Sequence, residues 1–351
     1  MFEAIVGQVA LLHRLGAVPV VIAVQDAAHG EDSWRLGNTE IVLAAGSGPD
    51  QLAYSPELAQ RMVEARLDLL HLHGIWQYPS RAADEWAQTT GLPLVISPHG
   101  MLDPWITARN AWKKGIARFA WERAAWARAA AFHALTTDEA SDIERETGSE
   151  KVEIIPNPAP PAGPAPTTIP PPGALYLGRI HPKKNILALI EGWLSALPDL
   201  PDGVTLTIAG WGDSDGIRAL ERALVGIDPS VAFVGAVFGS QKAALLDVSR
   251  FVILPSLSEG LPMAVLDAWA AGVPTIMSQA CHLPEGYEAG AAIPCETSPE
   301  SIAKALVAGF GRSESEWLAM ARAAQDLASG PFGSEGISGK WEALYAELLK
   351  G

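Results

Sequence analysis

Residues Pro158 to Gly173 read PAPPAGPAPTTIPPPG. Proline fixes φ and removes the backbone donor, so neither a helix interior nor a central strand can run through such a stretch. It has almost nothing to bury and reads as a stiff, extended linker. The chain has 351 residues, more than one hydrophobic core usually holds. The linker therefore sets the domain plan. A first domain covers 1–157, the linker 158–172 and a second domain 173–351, whose last helix is a candidate to pack back on the first domain.

Both halves share one grammar. In the first, VPVVIAV (18–24), LDLLHLHG (67–74) and LPLVISPHG (92–100) read as buried strands, separated by helical patterns such as SPELAQRMVEAR (55–66). In the second, ALYLGRI (174–180), VTLTIAGWG (204–212), VAFVGAV (231–237) and RFVILPS (250–256) alternate with helical stretches at 186–197, 216–225 and 242–249. Strands alternating with helices imply parallel, doubly wound sheets. The fold class is α/β, with two doubly wound Rossmann-like domains facing a cleft, where ligands bind at the carboxyl ends of the strands. The first domain has one anomaly. Phe2, Ile5, Val6, Val9 and Leu12 have helical period and Gly16 ends that helix, so this half begins on a helix where a doubly wound domain should begin on a strand.

Composition narrows the function. The formal net charge is −15, which argues against broad nucleic-acid binding. No apolar run approaches the roughly 18 residues of a membrane span, and the opening residues do not read as a signal peptide. The two cysteines, Cys281 and Cys295, make no metal or disulfide framework and fit a reducing cytoplasm.

Affinity for anions must then be local. In LPSLSEGLPMAVLDAWAAGVPTI (254–276) a strand ends at Pro255, a loop carries Glu259, and helical period begins at Met263. Residues 260–263 sit at a helix N-terminus, where free amides and the helix dipole favour an anion. Asp267 lies further along that helix, so the two carboxylates could grip two ends of one elongated ligand. In LGRIHPKKN (177–185) a strand mouth carries Arg179, Lys183 and Lys184, a cluster suited to a diphosphate. His73-Gly74 and His99-Gly100 each follow an apolar strand. Asp213-x-Asp215 could be taken for a metal-binding pair, but it lies in a glycine-rich turn, AGWGDSDG (209–216).

Together these stretches resemble the retaining GT-B glycosyltransferases of family 4, the "group 1" transferases. SEGLPMAVLDAWAAGVPTI is similar to that family's acid-x7-acid region, with Asp267 where the family usually has Glu. GRI…K is similar to its GRL…KG pattern, with Asn185 in place of Gly. IIPNPA (154–159) resembles its hinge segment, with Pro158 in place of Gly. The resemblance implies a hexosyltransferase moving sugar from a nucleotide-diphosphate sugar to a glycan or lipid-linked acceptor of cell-surface polysaccharide, with no cofactor and no metal. It implies catalytic roles for His99, Arg179, Lys184 and Glu259. It implies donor binding by Gly178, Gly210, Gly260, Leu261, Met263 and Asp267, with His73 and Gly74 on the acceptor side. In the family a strand and a Gly-Gly loop precede the opening helix. Their absence predicts a truncated chain, or one completed by a partner strand, whose first sheet lacks its first strand. The rival readings are a catalytically silent binding subunit and a nucleotide-sugar epimerase on the same architecture.

Residues 109–128 hold six Arg or Lys and one Glu. An ideal helical wheel puts Trp112, Ile116, Phe119 and Trp126 on one side, and Trp121 with Lys114, Arg118 and Arg128 on the other. The second face suits an anionic membrane surface, or is an ordinary solvated helix. The expected location is cytoplasmic, peripheral on the inner membrane face.

Overall fold

A computed structural model describes residues 2–25 and 33–350. The chain divides into two compact units, Met1–Asn157 with Ile337–Gly351, and Pro158–Gly336. The last stretch of chain thus packs with the first unit, where Ile337, Trp341 and Leu344 join Leu11, Ala131 and Ile155 in one apolar cluster.

Among the described residues the first unit carries six strands: β1 (Val20–Val24), β2 (Glu40–Ala44), β3 (Leu70–His73), β4 (Leu94–Ser97), β5 (Ala131–Ala134) and β6 (Val152–Ile154). They fall into two sheets: β1 pairs with β2, while β3, β4, β5 and β6 form a separate four-stranded sheet in that order. Every pairing is parallel. The second core of this unit, around Leu58, Met62, Trp86 and Phe132, covers both pieces, with Ile22 and Val24 of β1 and Leu70 and Leu72 of β3 packed into it. The opening helix, Phe2–Arg14, closes at Gly16, whose φ of 78° needs glycine. β2, β5 and β6 were not legible: β2 is largely exposed, and β5 lies in an alanine-rich run that reads as helix.

The second unit holds β7 (Gly173–Leu177), β8 (Thr205–Ala209), β9 (Val231–Phe233), β10 (Phe251–Leu254), β11 (Thr275–Ser278) and β12 (Ala292–Cys295). They form one parallel sheet in the order β12-β11-β10-β7-β8-β9. β10 and β11 are buried on both faces, as an interior parallel strand must be. Trp193, Trp269 and Tyr176 fill the layers around it.

The proline-rich segment carries no helix or strand before Gly173. It is strapped along the second unit. The Ala159 amide donates to the Phe332 carbonyl (2.8 Å) and the Gly163 amide to the Ala270 carbonyl (2.9 Å). Gln325 donates to the Gly163 carbonyl (3.1 Å) and Arg250 Nε to the Pro170 carbonyl (2.8 Å). An extended proline-rich backbone has carbonyls that no ladder uses, and side chains of the second unit take them.

The 109–128 region also departs from its wheel. The helix Ala111–Ala117 runs into a π-helical turn, Arg118–Glu122, before the helix Arg123–Arg128. The wider turn rotates everything after it relative to an ideal helix. Arg118 pairs with Glu146 (2.5 Å), Arg128 with Asp84 (2.6 Å), and Lys114 Nζ donates to the Ile106 and Arg109 carbonyls. Trp121 is half-buried. The side the wheel made of Trp112, Ile116, Phe119 and Trp126 is split: Trp126 is buried, while Trp112, Ile116 and Phe119 are 67, 57 and 83% exposed. Among the described residues no helix is long and apolar enough to cross a membrane.

Candidate functional site

In the second unit three strand mouths are stitched into one surface. After β7 the chain passes Gly178 and Arg179 into a short helical turn, Pro182–Lys184. Asn185 follows with φ 59°, the left-handed conformation expected of an Asn standing where Gly is usual. Its side-chain amide also donates to the Thr297 (2.7 Å) and Pro255 (3.2 Å) carbonyls, an anchor glycine lacks. The Leu257 amide donates to the Lys183 carbonyl (2.7 Å), so the cation loop and the Ser-Glu-Gly loop after β10 move as one body.

The two loops also share a charge pair. Lys184 Nζ and Glu259 Oε1 lie 2.5 Å apart, and both side chains are largely buried. Ser256 Oγ donates to the same carboxylate oxygen (2.6 Å). Breaking a buried pair from one side costs about 3–5 kcal/mol, because the survivor keeps an uncompensated charge. Glu259 is followed by Gly260 and the buried Leu261, and the helix Met263–Ala270 begins there with no side chain capping its first amides. Further along, Asp267 meets Lys242 Nζ at 2.8 Å. Lys242, on the helix Gly239–Asp247, is a site neighbour that sequence reasoning missed, because 25 residues separate it from its partner. Arg179 is exposed, with its guanidinium 5.4 Å from the centre of the Trp211 ring.

The glycine-rich loop after β8 lies flush against the loop after β7. Ile180 donates to the Trp211 carbonyl (2.7 Å) and Gly178 to the Ala209 carbonyl (3.1 Å). A Cβ on Gly210 would stand 1.8 Å from the Gly178 carbonyl oxygen, and one on Gly212 2.4 Å from that of Ile180. Asp213 caps the next helix by accepting from the Gly216 amide, and Asp215 pairs with Arg218. Both acids of the apparent metal-binding pair thus have local structural partners.

The first unit gathers histidines. His73 Nδ1 and His99 Nε2 are 2.9 Å apart, so the two strand-end loops that the sequence treats separately share a hydrogen bond. His99 itself has φ 54°, a strained conformation for a residue with a Cβ. Glu139 holds the next residue, accepting from the Gly100 amide (2.6 Å), and it also accepts from the Leu135 amide (2.9 Å). Gly74 has φ 83° and donates to the Ser97 carbonyl (2.8 Å). Two residues on, the Trp76 amide donates to Glu122 Oε1 (2.5 Å), and burial pushes the Glu122 carboxyl up to about 7. Behind these loops, His71 Nε2 meets Ser97 Oγ (2.6 Å), which also meets His133 Nδ1 (2.7 Å), and His133 Nε2 donates to the Ile155 carbonyl (2.7 Å). Burial, reinforced by the neighbouring imidazoles, holds His73 down to about 3 and His99 to about 2; burial alone takes His133 to about 4. His71 lies well below its ordinary value for the same reasons as His73. All four are held neutral at pH 7, so the histidine loops offer polar but uncharged groups.

Two predictions follow from this geometry. A native state that keeps imidazoles neutral binds fewer protons than the unfolded chain once pH falls below about 6.5. Stability is therefore full above that pH and is lost towards pH 4, at up to about 1.4 kcal/mol per pH unit for each imidazole. Urea midpoints at pH 7.5, 6 and 5 should fall in the parent and fall less steeply in His133→Asn; a flat parent profile would show that the cluster titrates in the native state. Separately, Gly210→Ala should cost about 1–3 kcal/mol by overpacking. Gly7→Ala, with open space around it in a helix, should be neutral or stabilising under the same urea titration.

Comparison with known proteins agrees with this arrangement. The sequence pattern of the family described as "Glycosyl transferases group 1" matches residues 171–310, and that of the "Glycosyl transferase 4-like domain" matches residues 3–158. The O-antigen chain mannosyltransferase B of Escherichia coli is 28% identical over 115 residues, 32% of this chain and 30% of that protein. An uncharacterised glycosyltransferase of Methanocaldococcus jannaschii is 32% identical over 148 residues, 41% of this chain and 36% of its own length. The matched stretches thus span about a third of these curated relatives. Among solved structures, Anabaena HepE in complex with UDP and glucose aligns with a TM-score of 0.76 at 17% identity, covering 98% of this chain and 95% of that one. The sucrose-phosphate synthase of Thermosynechococcus elongatus aligns with a TM-score of 0.75 at 17% identity, covering 98% and 92%. At such identity the structures establish the GT-B fold, and the two family patterns between them take in both units: the chain belongs to the group 1, family 4 glycosyltransferases.

Proposed function

We propose that the protein is a retaining hexosyltransferase that takes a nucleotide-diphosphate sugar as donor and a glycan or lipid-linked acceptor of cell-surface polysaccharide, in the cytoplasm. The observation that carries this reading is the Lys184–Glu259 pair set between the exposed Arg179 and the uncapped start of the helix Met263–Ala270. A diphosphate leaving group gains charge in the transition state, and preformed positive groups stabilise it most where they need no reorganisation. Arg179 and Lys184 fill that role, which a metal fills elsewhere, while Glu259 orients the sugar and Asp267 takes the ribose hydroxyls. The close contact of Gly178 and Gly210 leaves room for the nucleotide to lie along the backbone, and the Gly260–Met263 amides meet the donor's oxygens. His99 is assigned to the sugar, and His73 and Gly74 to the acceptor, by the family resemblance alone. The relative that assembles O-antigen chains and the neighbour bound to UDP and glucose both support donor and acceptor of this class.

Arg179→Ala should fold normally, since its side chain is exposed, yet lower kcat by about 100-fold or more, on the order of 3 kcal/mol. Lys184→Met should lower kcat comparably and also destabilise the fold by about 3–5 kcal/mol, because Glu259 loses its partner. Turnover of UDP-, GDP- and ADP-hexoses, with slow hydrolysis in the absence of acceptor, is the measurement. Activity within about threefold of the parent in the Arg179 variant would remove the diphosphate assignment.

The same protein is proposed to sit on an anionic membrane through Trp112, Ile116 and Phe119, whose apolar stripe is flanked by Lys113 and Arg123. The parent should cosediment with phosphatidylglycerol vesicles, and Trp112→Ser with Phe119→Ser should abolish this. Equal cosedimentation of the double variant would place the contact elsewhere.

A further inference from the structure

The chain beyond β7 and β8 keeps the register of the strands it leaves. Leu177 pairs with Ala209 at the end of the ladder, and Ile180 bridges Gly212 three residues on. The offset is the same at both points, so Gly178 stands opposite Gly210 and Arg179 opposite Trp211. Side chains alternate along an extended chain, and residues in register project on the same side. Side chains at 210 and 212 would run into the Gly178 and Ile180 carbonyls, and Trp211, between them, points the other way. It is 55% exposed, and its ring centre lies 5.4 Å from the Arg179 guanidinium carbon.

The backbones under both side chains are fixed. The hydroxyl of the buried Tyr176 donates to the Arg179 carbonyl (2.8 Å), and the Ile180 amide donates to the Trp211 carbonyl (2.7 Å). The pairing is therefore built into the ladder and does not depend on a mobile loop.

The kind of partner matters chemically. Lys184 and Lys242 are each paired with a carboxylate, Glu259 and Asp267. A carboxylate beside Arg179 would hold it equally well, but it would cancel the charge and occupy a pair of N–H donors. The acids on the facing loop are engaged elsewhere, Asp213 with the Gly216 amide and Asp215 with Arg218. Among the described residues the Arg179 guanidinium makes no hydrogen bond or ion pair, and its ring contact is with Trp211. An aromatic face attracts a cation through its quadrupole and leaves the in-plane N–H donors of a guanidinium unoccupied.

We propose that Trp211 is the positioning residue of Arg179: its ring holds the guanidinium at the mouth of β7 with its charge uncompensated and its donors free for a diphosphate. This rests on the diphosphate reading of the donor site given above. Trp211 acts through Arg179. A ring that instead touched the ligand itself would contribute whether or not Arg179 was present.

Calorimetric titration of the full chain with inorganic pyrophosphate tests this, because the probe carries the diphosphate without base or sugar. Trp211→Ala should weaken binding about tenfold, and Trp211→Phe should stay within about threefold of the parent. Adding Trp211→Ala to Arg179→Ala should change the affinity by less than about twofold. Unchanged affinity in Trp211→Ala, with affinity lost in Arg179→Ala, would overturn the inference alone and leave the diphosphate site standing. Equal losses from Trp211→Ala with and without Arg179 would overturn it by making the indole a direct contact of the ligand. Pyrophosphate binding at full strength in Arg179→Ala, or none by the parent at millimolar concentration, would remove the diphosphate reading and the inference with it.

Discussion

A buried lysine–glutamate pair is an uneconomical way to hold two loops together. Well-packed apolar side chains of the same volume usually do as well or better, because each charge loses its hydration. Lys184 and Glu259 nevertheless form such a pair where β7 and β10 end, and the surrounding loops depend on it. Ser256 and the Leu257–Lys183 backbone bond brace it, Asn185 ties it to β10 and to Thr297, and the glycine loop after β8 packs against the strand next to it. What the pair supplies that apolar packing cannot is a fixed cation and a fixed anion a hydrogen bond apart. On the function proposed above, a diphosphate sugar presents an anion to the one and hydroxyl donors to the other. Lys242 and Asp267 repeat the device on a smaller scale, a helix away.

The first unit uses charge differently around its histidine loops. Its buried histidines are held neutral, and two of its carboxylates are spent on backbone amides: Glu139 on Gly100 and Leu135, Glu122 on Trp76. These contacts secure His99, Gly74 and Trp76, which have φ values of 54°, 83° and 76°. A positive φ in His and Trp persists only where the surroundings over-determine it. Carboxylates reaching in from neighbouring helices provide that.

The strand mouths of the second unit were legible in the sequence because they are local. Arg179, Lys184, Glu259 and Asp267 each lie within a few residues of a strand mouth or on the helix that follows, and buried parallel strands announce themselves as apolar runs. Three kinds of feature were not legible. Partners far apart in sequence, such as Lys242 for Asp267 and Glu139 for Gly100, leave no local mark. The π-helical turn at 118–122 changes the phase of a helix without any residue type that demands it, and so the apolar side the wheel drew for 109–128 is split between solvent and core. The proline-rich segment has the composition of a linker, and composition cannot say that Gln325, Arg250 and Glu314 await its backbone.

The split sheet ties the last of these threads to the site. In an unbroken parallel sheet an interior strand is held on both edges, and its C-terminal loop inherits that rigidity. Among the described residues β3 pairs along one edge, with β4, yet it carries His71 and His73, and through His73 it bears on His99. The imidazole network compensates in part. Gln8 and Tyr345 both meet His71 Nδ1, and Ser97 meets its Nε2, so β3 is restrained through side chains where it lacks a backbone neighbour. Side-chain bonds of this kind are individually worth about 1 kcal/mol and are easily traded, whereas a strand ladder is cooperative along its length. The order of the histidine loops therefore depends on side-chain bonds to Gln8, Tyr345 and Ser97, where a strand inside a sheet would depend on a second ladder.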